Sequence, residues 1–427
     1  KGDTAFKPPD YELRLSPVFN INYVDAPDLQ ILYADPRRGT TRQDGHIGLQ
    51  EGFLDYHLRN VSDRFDFDSV RFGVQPFSTD FRGFLFQDSQ LGVRLFGNRE
   101  NNLWQYNLAW FRLMEKDTNS GLNDAAGPLR ENDIFAFNLY RQDLPVLGLT
   151  SQFTVVHNRN RETDIFFDKN GFQQRPAVIG DQRRREYDVT YLGANIDGHV
   201  GRLNLTGSFY YALGTDHRSQ FTGKEQDINA WFAALEPSID FDWVRFRLSA
   251  VYASGDSDPY DGSANGFDSI FDNPLIAGAD TSYWIRQAIP FIGGGGVQLT
   301  GRNSLLPNLR SSKEQGQSNF VNPGLLLIGG GTDLDLTPEL RLSFNVNHMW
   351  FDNTSSLEAL RNQGRIRNDI GTDLSAALTY RPTFIQNIVL RLSGAVLVAG
   401  DGFKDIYSNT GGDDTYYSVL ANVVLTY

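Results

Sequence analysis

Apolar and polar residues alternate along many short stretches of this chain. In one of the clearest, Leu340, Leu342, Phe344, Val346 and Trp350 alternate with Arg341, Ser343, Asn345 and Asn347. Successive side chains of a β-strand point to opposite faces, so a period of two predicts strands with one apolar and one polar face. The same pattern recurs at 70–75, 90–95, 104–110, 202–211, 244–252, 369–381 and 388–398. The chain is therefore predicted to be all-β.

Short and long connections between these stretches follow one another in turn. Outer-membrane barrels have this asymmetry, with short periplasmic turns and long extracellular loops. We predict a transmembrane antiparallel β-barrel of about sixteen strands, formed by a single domain over residues 1–427. If Ser282–Phe291 and Val297–Thr300 were also strands, the number would be eighteen. The long loop at 255–320 is expected to fold over or into the lumen.

The last predicted strand, Tyr417–Tyr427, has an uninterrupted apolar face of Tyr417, Val419, Ala421, Val423, Leu425 and Tyr427. In a barrel, the last strand pairs with the first and so removes the edge of the sheet. This ending also resembles the signal that outer-membrane proteins present to the barrel assembly machinery. The alternative is a buried final strand of a soluble sandwich.

Composition agrees with a barrel that has a wet interior. Aromatic residues make up 13% of the 427 residues, there is no Cys, and mean hydropathy is −0.38. No run of about 18 apolar residues is present, which excludes a transmembrane helix. The net charge of −13 disfavours a nucleic-acid partner. The predicted location is the bacterial outer membrane, with its lipid bilayer as a partner.

Several arginines fall on the predicted polar faces or in the loop after the first clear strand. Arginine stays protonated and presents a planar fork that suits carboxylates. A ring of arginines would guide anionic solutes, whereas pairing with nearby Asp and Glu would only hold the strands in register. The candidate pore-lining residues are Arg71, Arg82, Arg94, Arg245, Arg247, Arg341 and Arg391.

The segment Phe81–Asp88 is unusually apolar for an outer loop. It either folds into the lumen, where Arg82 and the aromatic residues narrow the pore, or packs against its neighbours at the rim. Loops of this kind are often functional.

The acidic loop Gly255–Gly262 contains Asp256, Asp258 and Asp261 close together, with glycine for the turn. Oxygen donors at such spacing resemble a calcium loop, although the pattern departs from an EF-hand and lacks its bidentate Glu. The alternative is a solvated acidic loop. Calcium is the one cofactor for which the sequence offers candidate ligands.

Catalytic patterns are poor. The six His residues are scattered, without metal-ligand spacing, and no Gly-x-Ser-x-Gly elbow is present. We therefore predict that the protein is not an enzyme, and a barrel enzyme is the hypothesis with least support.

Three stretches resemble alginate-export-type outer-membrane porins. They are Val70–Gln75 with the following Phe81–Phe86, Asn265–Pro274, and Asn319–Gly324. The resemblance implies a monomeric channel with a charged lumen, rich in arginine in those members that export anionic polysaccharide. The lumen predicted for this chain differs, because it mixes Asp and Glu with Arg.

The sequence thus favours a passive outer-membrane channel for small or polymeric, anionic solutes such as uronate-type saccharides. The alternative is a structural barrel that anchors a periplasmic or cell-surface partner, with Gly255–Phe320 as the docking element.

Overall fold

The computed structural model describes residues 9–25, 40–286, 289–290, 298–300, 304–385, 387–407 and 413–425. Its strands are β1 (Tyr11–Asp25), β2 (Thr41–Asn60), β3 (Phe67–Ser78), β4 (Gln87–Arg99), β5 (Trp104–Met114), β6 (Leu129–Gln142), β7 (Leu149–Asn160), β8 (Phe166–Phe167), β9 (Gln173–Arg175), β10 (Tyr187–Val200), β11 (Leu203–Asp216), β12 (Gln226–Phe241), β13 (Val244–Ala253), β14 (Ser263–Ala264), β15 (Ile289–Pro290), β16 (Gln298–Thr300), β17 (Leu325–Thr337), β18 (Leu340–Trp350), β19 (Asp369–Tyr380), β20 (Ile388–Ala399) and β21 (Thr415–Leu425). Three short helices are α1 (Tyr283–Arg286), α2 (Ser355–Arg361) and α3 (Asp401–Tyr407).

One antiparallel meander contains all the long strands. Its sheet has 17 strands, of which β14 is a two-residue strand that runs parallel to β12. Among the described residues, the other sixteen pair in chain order from β1 to β21, each with its neighbouring long strands, in agreement with the prediction of about sixteen. The described parts of the two additional candidate strands, Ser282–Phe291 and Val297–Thr300, do not join this sheet, because Tyr283–Arg286 is helical and β15 and β16 pair only with each other. Positions 287, 288, 291 and 297 of these candidates lie outside the described residues.

The two faces of the sheet differ as the alternation predicts. In β18, Phe344 and Val346 are 42% and 51% exposed, whereas Asn345 and Asn347 are 4% and 1% exposed. The apolar side chains therefore line the outer face and the polar ones face inward. An apolar outside and a polar inside is the arrangement of a β-barrel in a lipid bilayer.

Ile370 in β19 departs from the predicted alternation. The sequence pattern places it on the outer face with Leu374, but it is completely buried. The register between β18 and β19 shifts at Met349 and Trp350, so one extra residue enters the ladder. A shift of one residue moves a side chain to the other face, which explains the difference.

The edges of the sheet are β1 and β21. Over residues 11–25 and 415–425 no pairing joins these two strands. Their outward side chains are strongly exposed, as with Leu13 at 80% and Tyr417 at 78%. Closure between first and last strand therefore stays a prediction, and Tyr427 lies outside the described residues. Within the described ranges, no helix is long and apolar enough to span a membrane.

Two connections pack against the inner face of the sheet. We name residues 79–86, between β3 and β4, the short insert, and the described residues between positions 254 and 324, the long insert. From 304 to 324 nearly every residue of the long insert is buried. Phe84, Phe86, Phe267, Trp284 and Phe320, all from the inserts, belong to the main apolar core. The interior is thus partly filled by the two inserts.

Candidate functional site

The short insert lies against inward-facing side chains and not at the rim. The ring of Phe84 packs against Phe232 of β12, with centroids 5.1 Å apart. Arg82 donates a hydrogen bond to Oγ1 of Thr206 (2.5 Å) and its guanidinium lies 3.4 Å from Asp197. These contacts bring Arg82 and the aromatic residues of this segment to the inner face. Of the two interpretations of the sequence, they favour the one in which the segment folds into the lumen.

Arg71 of β3 and Arg94 of β4 stand directly opposite each other. Like charges at such cross-strand positions repel. Arg71 is compensated by Asp55, at 2.7 Å. Arg94 has no carboxylate partner among the described residues: its Nε–H donates to Oδ1 of Asn107 (2.7 Å), and its guanidinium lies 4.6 Å from the ring of Phe96. Within the described chain, the positive charge of Arg94 is therefore not neutralised by an ion pair.

Arg94 lines a cavity of about 440 Å³ beside the short insert. The other lining residues are Pro76, Phe77, Ser78, Gln87, Asp88, Ser89, Asn107, Tyr140 and Asn273. The single acid of the lining, Asp88, forms an ion pair with Lys116 at 2.6 Å. The cavity therefore combines one guanidinium that no described carboxylate neutralises with hydroxyl and amide groups and two aromatic rings. Such a lining can hold a small polar anion.

The remaining predicted arginines are paired with carboxylates. Arg245 contacts Asp240 at 2.5 Å, and Arg391 contacts Asp280 of the long insert. The other two pairs are Arg247 with Asp333 and Arg341 with Asp335, each at 2.6 Å. Together with Arg71, these residues support the interpretation of ion pairs, whereas Arg82 reaches Asp197 only at 3.4 Å and Arg94 has no carboxylate partner among the described residues. Their role in solute passage stays a prediction.

The three aspartates of the acidic loop each accept a hydrogen bond from a backbone N–H group. Asp256 is completely buried, and its Oδ1 accepts a hydrogen bond from the backbone N–H of Asn265 (3.1 Å). Asp258 and Asp261 instead accept bonds from the backbone N–H groups of Tyr260 and Ser263. Within the described part of the chain, no three acidic or histidine side chains are placed to hold a metal ion. Calcium binding at these aspartates stays a prediction.

Burial is the main cause that raises the pKa of Asp256 to about 7, and the negative charges of Asp261 and Asp258 contribute to the same rise. Because this folded-state pKa lies above the ordinary value of 3.8, the neutral acid is the form that the folded protein favours. We expect the folded state to lose stability as pH rises from about 4 to about 7, on the order of a few kcal/mol, and little above that.

Thermal unfolding of the wild type and of Asp256→Asn between pH 4 and pH 8 measures this effect. The unfolding temperature of the variant should fall less with rising pH than that of the wild type. Asp124→Asn, at a half-exposed turn where the carboxylate accepts two backbone N–H groups, is the control and should follow the wild type. Parallel curves for all three proteins would contradict the expectation.

Sequence patterns missed several residues of the site. Asn107 lies on a predicted strand and Tyr140 lies outside the stretches named above, and nothing in the sequence around either residue indicates that it shares a cavity with Arg94. Asp80 was also missed, although it is the second residue of the short insert and stands three residues before Gly83. Asp before an irregular segment with glycine often accepts hydrogen bonds from the backbone that follows, and that signal could have found it.

Comparison with known proteins supplies the fold. No family model matches the chain, and no curated protein does either. Among solved structures, Pseudomonas aeruginosa OccK9 (OpdG) is similar with a TM-score of 0.51 and 12% identity, over 98% of this chain and 88% of that one. Acinetobacter baumannii OccAB2 gives a TM-score of 0.51 and 11% identity, over 99% and 88%. OccAB4 of the same organism gives 0.50 and 13%, over 100% and 88%.

The chain has the fold of a bacterial outer-membrane porin. At this level of identity the similarity shows the fold alone. The prediction of an all-β, antiparallel fold of the outer-membrane barrel type is confirmed, and closure between β1 and β21 stays a prediction. The finer resemblance to alginate-export porins gains no support from these structures.

Proposed function

We propose that this protein is an outer-membrane channel for passive passage of small anionic solutes, uronate-type saccharides among them. The porin fold supports a channel, and the lipid-compatible outer face supports a place in the outer membrane. The solutes would enter among the long loops and leave at the short turns. No cofactor or chemical step is needed for such passage.

The uncompensated charge of Arg94 carries the anionic part of this proposal. Its guanidinium lines the 440 Å³ cavity, faces Arg71 across the strand pair and contacts no carboxylate among the described residues. A carboxylate in the cavity would supply the missing counter-charge. Hydroxyl and amide groups of Ser78, Gln87 and Asn107 would replace part of the water around a polyhydroxylated solute.

We expect single channels of the purified protein in a planar bilayer to prefer anions under a salt gradient. Arg94→Gln removes one unit charge from the cavity. The Coulomb attraction between this charge and an anion about 5 Å away in water is about 0.8 kcal/mol. Without it, the preference for anions should fall about fourfold. Occupancy by galacturonate, read as transient blocks of the current, should fall in parallel.

Arg64→Gln is the matched control, because Arg64 is an exposed arginine in the short turn between β2 and β3. Its selectivity should equal that of the wild type. Cation preference in the wild type, or an unchanged preference in Arg94→Gln, would refute the anionic part of the proposal. Absence of conductance from folded, inserted protein would refute the channel itself.

The buried long insert favours a second candidate function. An interior filled by this segment suits a barrel that anchors a periplasmic or cell-surface partner, with the insert or the long loops as the docking element. Stoichiometric co-purification of a partner from outer membranes, together with absence of conductance, would support this candidate over the channel.

A further inference from the structure

The short insert closes on itself at its two ends. The backbone N–H of Thr79 donates to the carbonyl of Phe86 (2.9 Å), and the N–H of Phe86 donates to the hydroxyl of Thr79 (3.1 Å). The residues between them form a compact loop whose ends are fixed to β3 and β4. Contacts within the loop then stabilise its internal conformation.

Asp80 supplies these contacts. Its Oδ1 accepts hydrogen bonds from the backbone N–H groups of Arg82 (2.9 Å), Gly83 (2.6 Å) and Phe84 (3.1 Å), and its Oδ2 accepts one from Leu85 (3.1 Å). Four consecutive amides thus converge on one carboxylate. Backbone amides arranged in this way form an anion-binding nest, and here the anion belongs to the same loop.

Among the described residues, no positively charged side chain pairs with Asp80. The residue is 5% exposed and forms no ion pair with any described residue. The hydroxyl of Tyr210, on β11, donates to Oδ2 at 2.9 Å and completes its hydrogen bonding. A buried charge is stable only when it is fully hydrogen-bonded, so the loop and Tyr210 together hold the carboxylate in place.

The conformation that Asp80 fixes also determines where Arg82 points. Arg82 follows two residues later, and its side chain crosses the interior to Thr206 and Asp197. The carbonyls of Arg82 and Gly83 accept hydrogen bonds from Leu275 and Asn273 of the long insert (2.9 and 2.7 Å). Gly83 adopts φ +75, and a side chain there would collide with the carbonyl of Asn273. The two inserts therefore fit only one conformation of this loop.

We propose that Asp80 is a positioning residue of the channel. Its carboxylate orders the short insert and places the Arg82 guanidinium across the pore, so an acidic residue maintains the preference for anions without contacting the solute. This inference rests on the proposed channel function.

The two roles that Asp80 can have predict opposite changes in anion preference when Asp80 is replaced, and permeability measurements distinguish them. If Asp80 acts only through its charge, its removal makes the interior more positive and raises the preference for anions. If it positions Arg82, its removal releases the guanidinium and lowers that preference, by about twofold or more. We expect a decrease in Asp80→Ala and a smaller one in Asp80→Asn, which keeps one acceptor oxygen.

A double-mutant cycle with Arg82→Gln adds an independent test. Arg82→Gln should lower the preference for anions in the otherwise wild-type protein and have almost no effect in the Asp80→Ala background. The reason is that the effects of substitutions within one network of contacts do not add. Asp124→Ala removes an aspartate that also accepts backbone N–H groups, but in a loop that does not line the cavity, and should change nothing.

Hydrogen exchange of the peptide that covers 79–87 provides a readout without conductance. Protection of the amides of Arg82–Leu85 should be lost in Asp80→Ala, reduced in Asp80→Asn and retained in Arg82→Gln and Asp124→Ala. A rise in anion preference, additivity with Arg82→Gln or unchanged exchange would overturn the inference. If the folded wild type does not conduct, the channel proposal fails and exchange alone decides whether Asp80 orders the insert.

Discussion

Arg310→Ala should release the long insert from the inner face and give channels of clearly larger conductance. The guanidinium of Arg310 is 2% exposed, contacts Asp268 at 2.8 Å and donates to the carbonyls of Ser269 and Ile270 and to the hydroxyl of Ser318 (3.0 Å). It therefore joins the two described halves of the insert, before position 286 and after position 304. Without it, Asp268, which is completely buried, remains as an unpaired charge.

Removal of one partner of a buried ion pair costs about 3–5 kcal/mol, which approaches the stability of a whole small domain. The cost falls on the insert, because each of the four partners of Arg310 belongs to it. We expect the sheet to remain folded while the insert loses order. Single-channel conductance, together with hydrogen exchange of peptides from 264–285 and 304–323, measures both parts of this prediction.

The double variant Arg310→Met, Asp268→Leu is the matched control. It removes the pair without leaving a buried charge, and apolar replacements of buried pairs are often neutral or stabilising. Its conductance should return toward that of the wild type. If Arg310→Ala had wild-type conductance and exchange, the insert would owe its order to other contacts, such as those of Trp284 and Phe320 in the apolar core.

Gly73→Ala should lower the fraction of protein molecules that reach the folded state. Gly73 in β3 has φ +125, a region that residues with a side chain rarely adopt. A Cβ there would lie 2.2 Å from the carbonyl oxygen of Gly52 and 2.8 Å from Cα of Phe53, both backbone atoms of the neighbouring strand β2. Neither can move without breaking the pairing of β2 with β3. The expected cost is on the order of 3 kcal/mol.

The folded fraction after refolding in detergent, read from the electrophoretic mobility of unheated samples, measures this effect. Gly364→Ala is the control, because Gly364 lies in an exposed loop and a Cβ added there would meet no atom of a non-adjacent residue within 4 Å. The cost of this second substitution should stay below about 0.5 kcal/mol. Equal folded fractions for the two variants would contradict the prediction.

The sheet was predictable because its signal is local. Alternation over a few residues identifies a strand, and the succession of short and long connections counts the crossings. Ile370 shows where this reasoning fails, since its face depends on a register shift opposite Met349 that belongs to a neighbouring strand. A related reason applies to the described residues Ile289–Pro290 and Gln298–Thr300, which pair only with each other: strand-like composition does not decide which sheet a segment joins.

The site was predictable only in part. The sequence identified Arg94 as an inward arginine, but could not distinguish it from Arg247 or Arg341, because the difference lies in whether a carboxylate is close in space. Asp80 and Tyr210 are 130 positions apart, and Arg310 and Asp268 are 42 apart. Contacts across such separations depend on which loops enter the interior, and a single sequence does not encode this in any local pattern.

The contacts between the two inserts have a consequence for the order of folding. Phe86 and Phe271 form a β-bridge, although they follow hairpins that are far apart along the chain. Closing such a long loop is entropically costly until the intervening strands have paired. The hairpins of the sheet would thus form first and the inserts would dock last, so heating should release the interior before the sheet melts, in two separate transitions.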